Sequence, residues 1–287
     1  MSHDLLQALA IFAAGLAAGT INTVVGSGTL ITFPTLLAFG YPPVLANVSN
    51  NVGLVPGVVS GAHGYRAELK GQRRRAIRLG SASLCGGLVG AVLLLVLPAG
   101  AFKEIVPVLI GIALVMVVFQ PRISKWVAAR QAARSGGLAA TAGPADSGGP
   151  DTGGAGAVAV ATPVSQQAAL QVGGPVLWGL VFLSGVYGGY FGAAQGVLLL
   201  GLMGIAFTDS MQRINAVKNV LAGLVNGIAA IVFILATHID WGAAGLIAAG
   251  AVIGGQIGAR VGRKLPPWGL RVLIICVGVV ALVKLLA

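Results

Sequence analysis

Repeated apolar runs of about 17 to 25 residues constrain this chain more than any other feature of its sequence. That is the length a helix needs to cross a hydrocarbon core of about 30 Å. Lipid offers no water to satisfy backbone N–H and C=O groups, whereas a helix closes its own. The predicted fold class is therefore an all-α, polytopic transmembrane helical bundle. Composition agrees, because 9% of the 287 residues are charged and 56% hydrophobic, while a water-soluble domain carries about 25% charged residues. Most of the 45 glycines lie inside the apolar runs, where small residues let helices approach closely and permit breaks.

The net charge of +11 does not signal nucleic-acid binding, since the basic residues sit in short segments beside apolar spans and no basic soluble domain accompanies them. Cys85 and Cys276 occupy separate spans with no CxxC spacing and no neighbouring His, and read as small buried apolar side chains. No metal and no cofactor is predicted. The opening MSHDLLQALAIF lacks a charged leader and a cleavage site, so it reads as the start of a first helix.

Apolar segments run about 5–24, 28–40, 44–65, 77–97 and 103–119 in a first unit, residues 1–134. A second unit, 175–287, offers about 175–192, 195–207, 213–236, 242–261 and 268–286, in the same order of long and short. Residues 135–174 contain PADSGGPDTGGAGA, too polar and glycine-rich to pack a core, and read as a flexible cytoplasmic linker. An offset of 168 residues places Ser27-Gly28 on Gln195-Gly196, and Asn47-Val48-Ser49-Asn50-Asn51 on Asn215-Ala216-Val217-Lys218-Asn219. A two-residue gap also brings Gly19 and Gly26 onto Gly185 and Gly192. Asn at matching depths in two apolar helices marks a duplication.

Arg66, Lys70, Arg73, Arg74, Arg75 and Arg78 form the strongest cytoplasmic marker, and Arg122, Lys125, Arg130 and Arg134 put the start of the linker on that side. Arg260, Arg263 and Lys264 ask for the same side. Segment 44–65 then ends inside and its repeat partner 213–236 ends outside, so the two repeats are expected to be inverted. Inversion needs an odd number of crossings per half, about ten in all, with the short segments crossing by tilt or local thinning. The competing arrangement makes the short segments re-entrant, giving eight crossings and parallel halves, and leaves Arg260, Arg263 and Lys264 outside.

GTINTVVGSGTLITFP (19–34) sets Asn22, Thr23, Gly26, Ser27 and Gly28 in a glycine-broken stretch at membrane depth, and GVYGGYFGAAQG (185–196) does the same with Tyr187, Tyr190, Gln195 and Gly196. A broken helix presents free N–H groups and a positive dipole end, which suit an anion, and repeat transporters set such breaks around a central substrate. Alternatively the glycines serve packing alone. Asn47, Asn50 and Asn51, like Asn215, Lys218 and Asn219, fall at i, i+3 and i+4 on one helix face. Interhelical hydrogen bonding would account for the amides, but a lysine in an apolar span must reach the interface or find an anion.

The seven carboxylates Asp4, Glu68, Glu104, Asp146, Asp151, Asp209 and Asp240 all fall outside the predicted mid-membrane zone. A cation carrier would need a buried acid; amides, hydroxyls, helix ends and one lysine instead suit an anionic cargo. His63 reads as structural or proton-linked. Trp178, Tyr187, Trp241 and Trp268 read as interface anchors, and Asp209 and Asp240 as helix N-caps. No Walker A sequence supports ATP-driven transport, and no nucleophile, metal set or acid–base pair at depth supports an enzyme.

The segments GLAAGTINTVVGSGTLITFPTLLAFGYPPVLANVSNNVGLVPG, GVYGGYFGAAQGVLLL and NAVKNVLAGLVNGIAAIVF, followed by DW, resemble the TauE/SafE (sulfite exporter) family over nearly the whole chain outside the linker. The resemblance implies a permease of the bacterial plasma membrane for sulfite, organosulfonates or related sulfur anions, driven by a gradient of protons or another coupling ion. An anion channel and a membrane scaffold without transport are the alternatives. The expected partners are a small anion and the lipid bilayer.

Overall fold

The computed structural model describes residues 3–141, 174–207 and 209–261, with further helical positions between 272 and 283. Every regular element among the described residues is helical. The first half contributes α1 (His3–Val24), α2 (Thr29–Ala38), α3 (Pro43–Gly64), α4 (Arg73–Val96) and α5 (Ala99–Thr141). The second contributes α6 (Pro175–Tyr190), α7 (Gln195–Ala206), α8 (Met211–Ala236) and α9 (Trp241–Val261). Apart from α5, these bounds follow the apolar segments closely, with the order of long and short elements preserved, and most of the expected segment 268–286 lies outside the described residues. The helix α5 continues through the expected linker boundary to Thr141; residues 142–173, Arg263, Lys264 and Trp268 lie outside the described residues.

Five of the described helices are long and apolar enough to cross a membrane: α1, α4, residues 100–122 of α5, α8 and α9. At 22 residues α3 has comparable length, but its Asn47, Ser49, Asn50 and Asn51 lower its hydropathy. Large apolar side chains stand exposed, with Leu235 82% and Val96 74% accessible, while Asn47, Asn50, Asn215, Lys218 and Asn219 are buried within an otherwise apolar interior. That inversion of the soluble pattern suits a protein whose outer solvent is hydrocarbon. Cys85 and Cys276 follow it, being exposed instead of buried as expected.

The close contacts that glycines permit show which way the helices run. Gly15 and Gly19 of α1 meet Ile247 and Ala251 of α9. Gly53, Gly57 and Gly64 of α3 meet Ile247, Ala251 and Ala259 of the same helix. Residue numbers rise together in each case, so α1, α3 and α9 run one way. Gly86 and Gly90 of α4 meet Phe182 and Val186 of α6, and Gly80 and Gly87 meet Leu224 and Ile228 of α8. These three helices also run together. The basic 65–72 loop, which joins α3 to α4, bonds the start of α8 through Gln72 Nε2 to the Arg213 carbonyl (3.0 Å) and Arg213 to the Lys70 carbonyl (3.3 Å). The α4, α6 and α8 set therefore runs opposite to the α1, α3 and α9 set. Helices α2 and α7 each carry the chain back between two like-directed helices, α2 from α1 to α3 and α7 from α6 to α8.

Candidate functional site

Both interrupted helices end in the same local structure. In the first half Val25 and Gly26 N–H both donate to the Ile21 carbonyl (2.7 and 3.0 Å), with Gly26 at φ +88°. In the second, Phe191 and Gly192 N–H donate to the Tyr187 carbonyl (3.0 and 3.1 Å), with Gly192 at φ +76°. Each is a left-handed C-terminal cap, which glycine adopts without a Cβ penalty. The correspondence reproduces the gapped alignment of Gly26 with Gly192. After each cap the chain turns into a short helix, α2 or α7.

The two breaks touch. Gly196 N–H donates to the Gly26 carbonyl at 3.1 Å, and a Cβ on either glycine would strike the other's backbone. Ser27 and Gln195, at the starts of α2 and α7, are 0% and 3% accessible, and Ser27 Oγ and Gln195 Nε2 have no hydrogen-bond partner among the described residues. Two of the N–H groups expected to be free are satisfied internally: Gly196 by Gly26, and Gly28 by the Asn22 side chain (3.1 Å).

The polar face of α8 closes the end of α1. Lys218 Nζ donates to the Asn22 and Thr23 carbonyls (2.8 and 3.2 Å), and Asn215 and Asn219 Nδ2 both reach the Thr23 carbonyl (3.1 and 3.3 Å). A helix C-terminus carries unsatisfied carbonyls and a partial negative charge, so an ammonium there has a physical reason. Lys218 is 0% accessible, and among the described residues no carboxylate forms an ion pair with it. It is enclosed and does not snorkel to the interface. In the other half, Asn47 Nδ2 donates to the Tyr190 carbonyl at the end of α6 (3.0 Å), as Asn215 does for α1. Asn50 and Asn51 lie one turn further along α3, both buried, each with its Oδ1 unpartnered among the described residues.

Thus Asn22, Thr23, Asn215, Lys218 and Asn219 are brought together by direct bonds, Gly26 and Gly196 by backbone contact, and Asn47 to the opposite break. Besides the two cysteines, sequence reasoning misplaced Tyr187 and Asp209. Tyr187, read as an interface anchor, donates its hydroxyl to the Ala193 carbonyl and stitches the second break. Asp209, read as an N-cap, pairs with Arg75 (2.5 Å) and Arg213 (3.2 Å), while Ser210 caps α8. Asp240 does cap α9, accepting from Ala243 N–H at 2.8 Å.

The family profile described as "Sulfite exporter TauE/SafE" matches residues 11–285. The chain belongs to this family. The match to TauE/SafE runs through both halves, including both breaks and both Asn-bearing helices. Among curated proteins, the chain is 26% identical over 303 residues to "Probable membrane transporter protein YfcA" of Escherichia coli (strain K12), covering 100% of this chain and 91% of that protein. It is 31% identical over 126 residues to a "Probable membrane transporter protein" of Haemophilus influenzae (strain ATCC 51907 / DSM 11121 / KW20 / Rd), covering 42% of this chain and 46% of that protein. No solved structure matches. This TauE/SafE chain is accordingly a multi-pass membrane protein of a transporter family.

Proposed function

We propose that this TauE/SafE protein is a secondary transporter of a small sulfur-containing anion, such as sulfite or an organosulfonate, working by alternating access in a bacterial plasma membrane. The observation that carries the reading is Lys218, a fully enclosed lysine with no carboxylate partner among the described residues. The end of α1 supplies a partial charge of about −0.5, which leaves part of the ammonium charge for an anion to balance. Ser27 Oγ and Gln195 Nε2, unpartnered beside the positive ends of α2 and α7, are suited to bind its oxygens. Asn50 and Asn51 would complete the shell, since a half-turn of either amide presents its NH2 group. The nature of the cargo is taken from the family description.

The units 1–134 and 175–287 act as two inverted halves joined by the 135–174 linker. Support comes from the opposed directions of repeat partners: α3 runs against α8, and α1 against α6. Enclosure of the site residues favours an occluded carrier over an open anion channel. A substrate screen in proteoliposomes tests the reading, comparing sulfite, sulfonates, sulfate and chloride with and without an imposed proton gradient. Saturable flux of the sulfur anions, accelerated by the gradient, is expected; flux that does not saturate would indicate a channel, and absent flux of every sulfur anion would overturn the proposal.

A further inference from the structure

Between α4 and α8 a cleft of about 480 Å³ opens sideways on the outer surface of the bundle. Its α4 wall is one helical stripe, Arg73, Ile77, Gly80 and Leu84, and its α8 wall includes Val220 and Leu224. From Arg73 to Leu84 the stripe rises about 16 Å at 1.5 Å per residue, close to half of a hydrocarbon core of about 30 Å. The cleft thus spans about one leaflet. Gly80 keeps it open, because a Cβ there would lie 2.9 Å from Leu224 Cδ1, and Ile77 at its mouth is 62% accessible.

Charge lies at one end only. Arg73 is exposed at the first turn of α4, on the basic side of the protein, and no carboxylate among the described residues pairs with it. Arg75, two residues on, turns away to Asp209. An apolar channel one leaflet deep with an unneutralised guanidinium at the headgroup level matches a lipid with an anionic phosphodiester. We propose that this cleft is a specific site for one anionic phospholipid of the basic-side leaflet, with its phosphodiester on Arg73 and an acyl chain lying along Ile77, Gly80 and Leu224. The site is separate from the transport reading and stands without it.

Native mass spectrometry of the purified full chain tests it, titrating phosphatidylglycerol, phosphatidylcholine of the same chain length, and inorganic phosphate. One phosphatidylglycerol is expected to bind about fivefold more tightly than phosphatidylcholine. Arg73→Gln should weaken it about fivefold, the effect of about 1 kcal/mol for one cation near a headgroup. Arg66→Gln, an exposed change of equal charge in the adjoining loop, should leave binding unaltered. Both substitutions lie on the surface, so folding does not confound them. Equal loss in the two variants would reduce the effect to diffuse attraction and overturn the site. So would equal binding of the two lipids, or displacement by inorganic phosphate.

Discussion

An ammonium enclosed at membrane depth costs several kcal/mol unless it is compensated, and among the described residues Lys218 bonds the carbonyl end of α1. Its replacement by Met should lower sulfite or sulfonate flux at least tenfold. The same change strips a donor from the Asn22 and Thr23 carbonyls, so a stability loss of about 1–3 kcal/mol is expected alongside. Thermal unfolding followed by size-exclusion fluorescence measures that part separately. Glycine substitutions sort by contact. Gly26→Ala combines φ +88° with a clash into Gly196 and should cost about 3 kcal/mol or more. Gly40→Ala has φ +84° but open space around the new methyl, so about 1–2 kcal/mol is expected. Equal melting temperatures for the two variants would contradict the meeting of the breaks.

The element scale is where Arg75, Asp209 and Arg213 act, tying the start of α4 to the start of α8 at the basic end. Arg75 also stacks its guanidinium on the Phe207 ring at 3.8 Å. With Asp209 partly exposed, a double-mutant cycle on Arg75 and Asp209 should give a coupling of about 1 kcal/mol or less. If the tie holds that end shut, Asp209→Asn should speed modification of a Ser27→Cys thiol from the basic side several-fold; an unchanged rate would deny it a gating role. Segment bounds were legible in the sequence because hydropathy reports what lipid demands of each helix separately. The helix breaks were legible through the pairing of Gly26 with Gly192, but not that each closes as a left-handed cap. The Gly26–Gly196 contact was not, since it joins residues 170 apart through absent side chains. Tyr187 was misread because an aromatic near a helix end can face lipid or fold back, and only the turn at Ala193 decides. Cys85 was misread by applying the burial rule of water-soluble proteins to a surface that faces hydrocarbon. Lys218 was legible as an oddity, but its carbonyl partners were not.

For the whole molecule, the helix directions place the 65–72 loop and the 237–240 loop at opposite ends of the bundle. Lys70→Cys and His238→Cys should therefore react with a membrane-impermeant maleimide from opposite faces of oriented vesicles. Labelling from one face would restore the parallel, eight-crossing arrangement and remove the inverted halves from the account. The charge pattern already favoured inversion, through the basic residues near 66–78 and 260–264. The linker contributed nothing to that argument. In the proposed alternating-access cycle, Lys218 is the enclosed group that the two halves expose in turn. Counterflow of labelled sulfite into proteoliposomes, run for the wild type and for Lys218→Met at matched protein amounts and confirmed folding, tests that claim most directly. Saturable exchange in the wild type and its loss in the folded variant is the expected result. Undiminished exchange in Lys218→Met would contradict it.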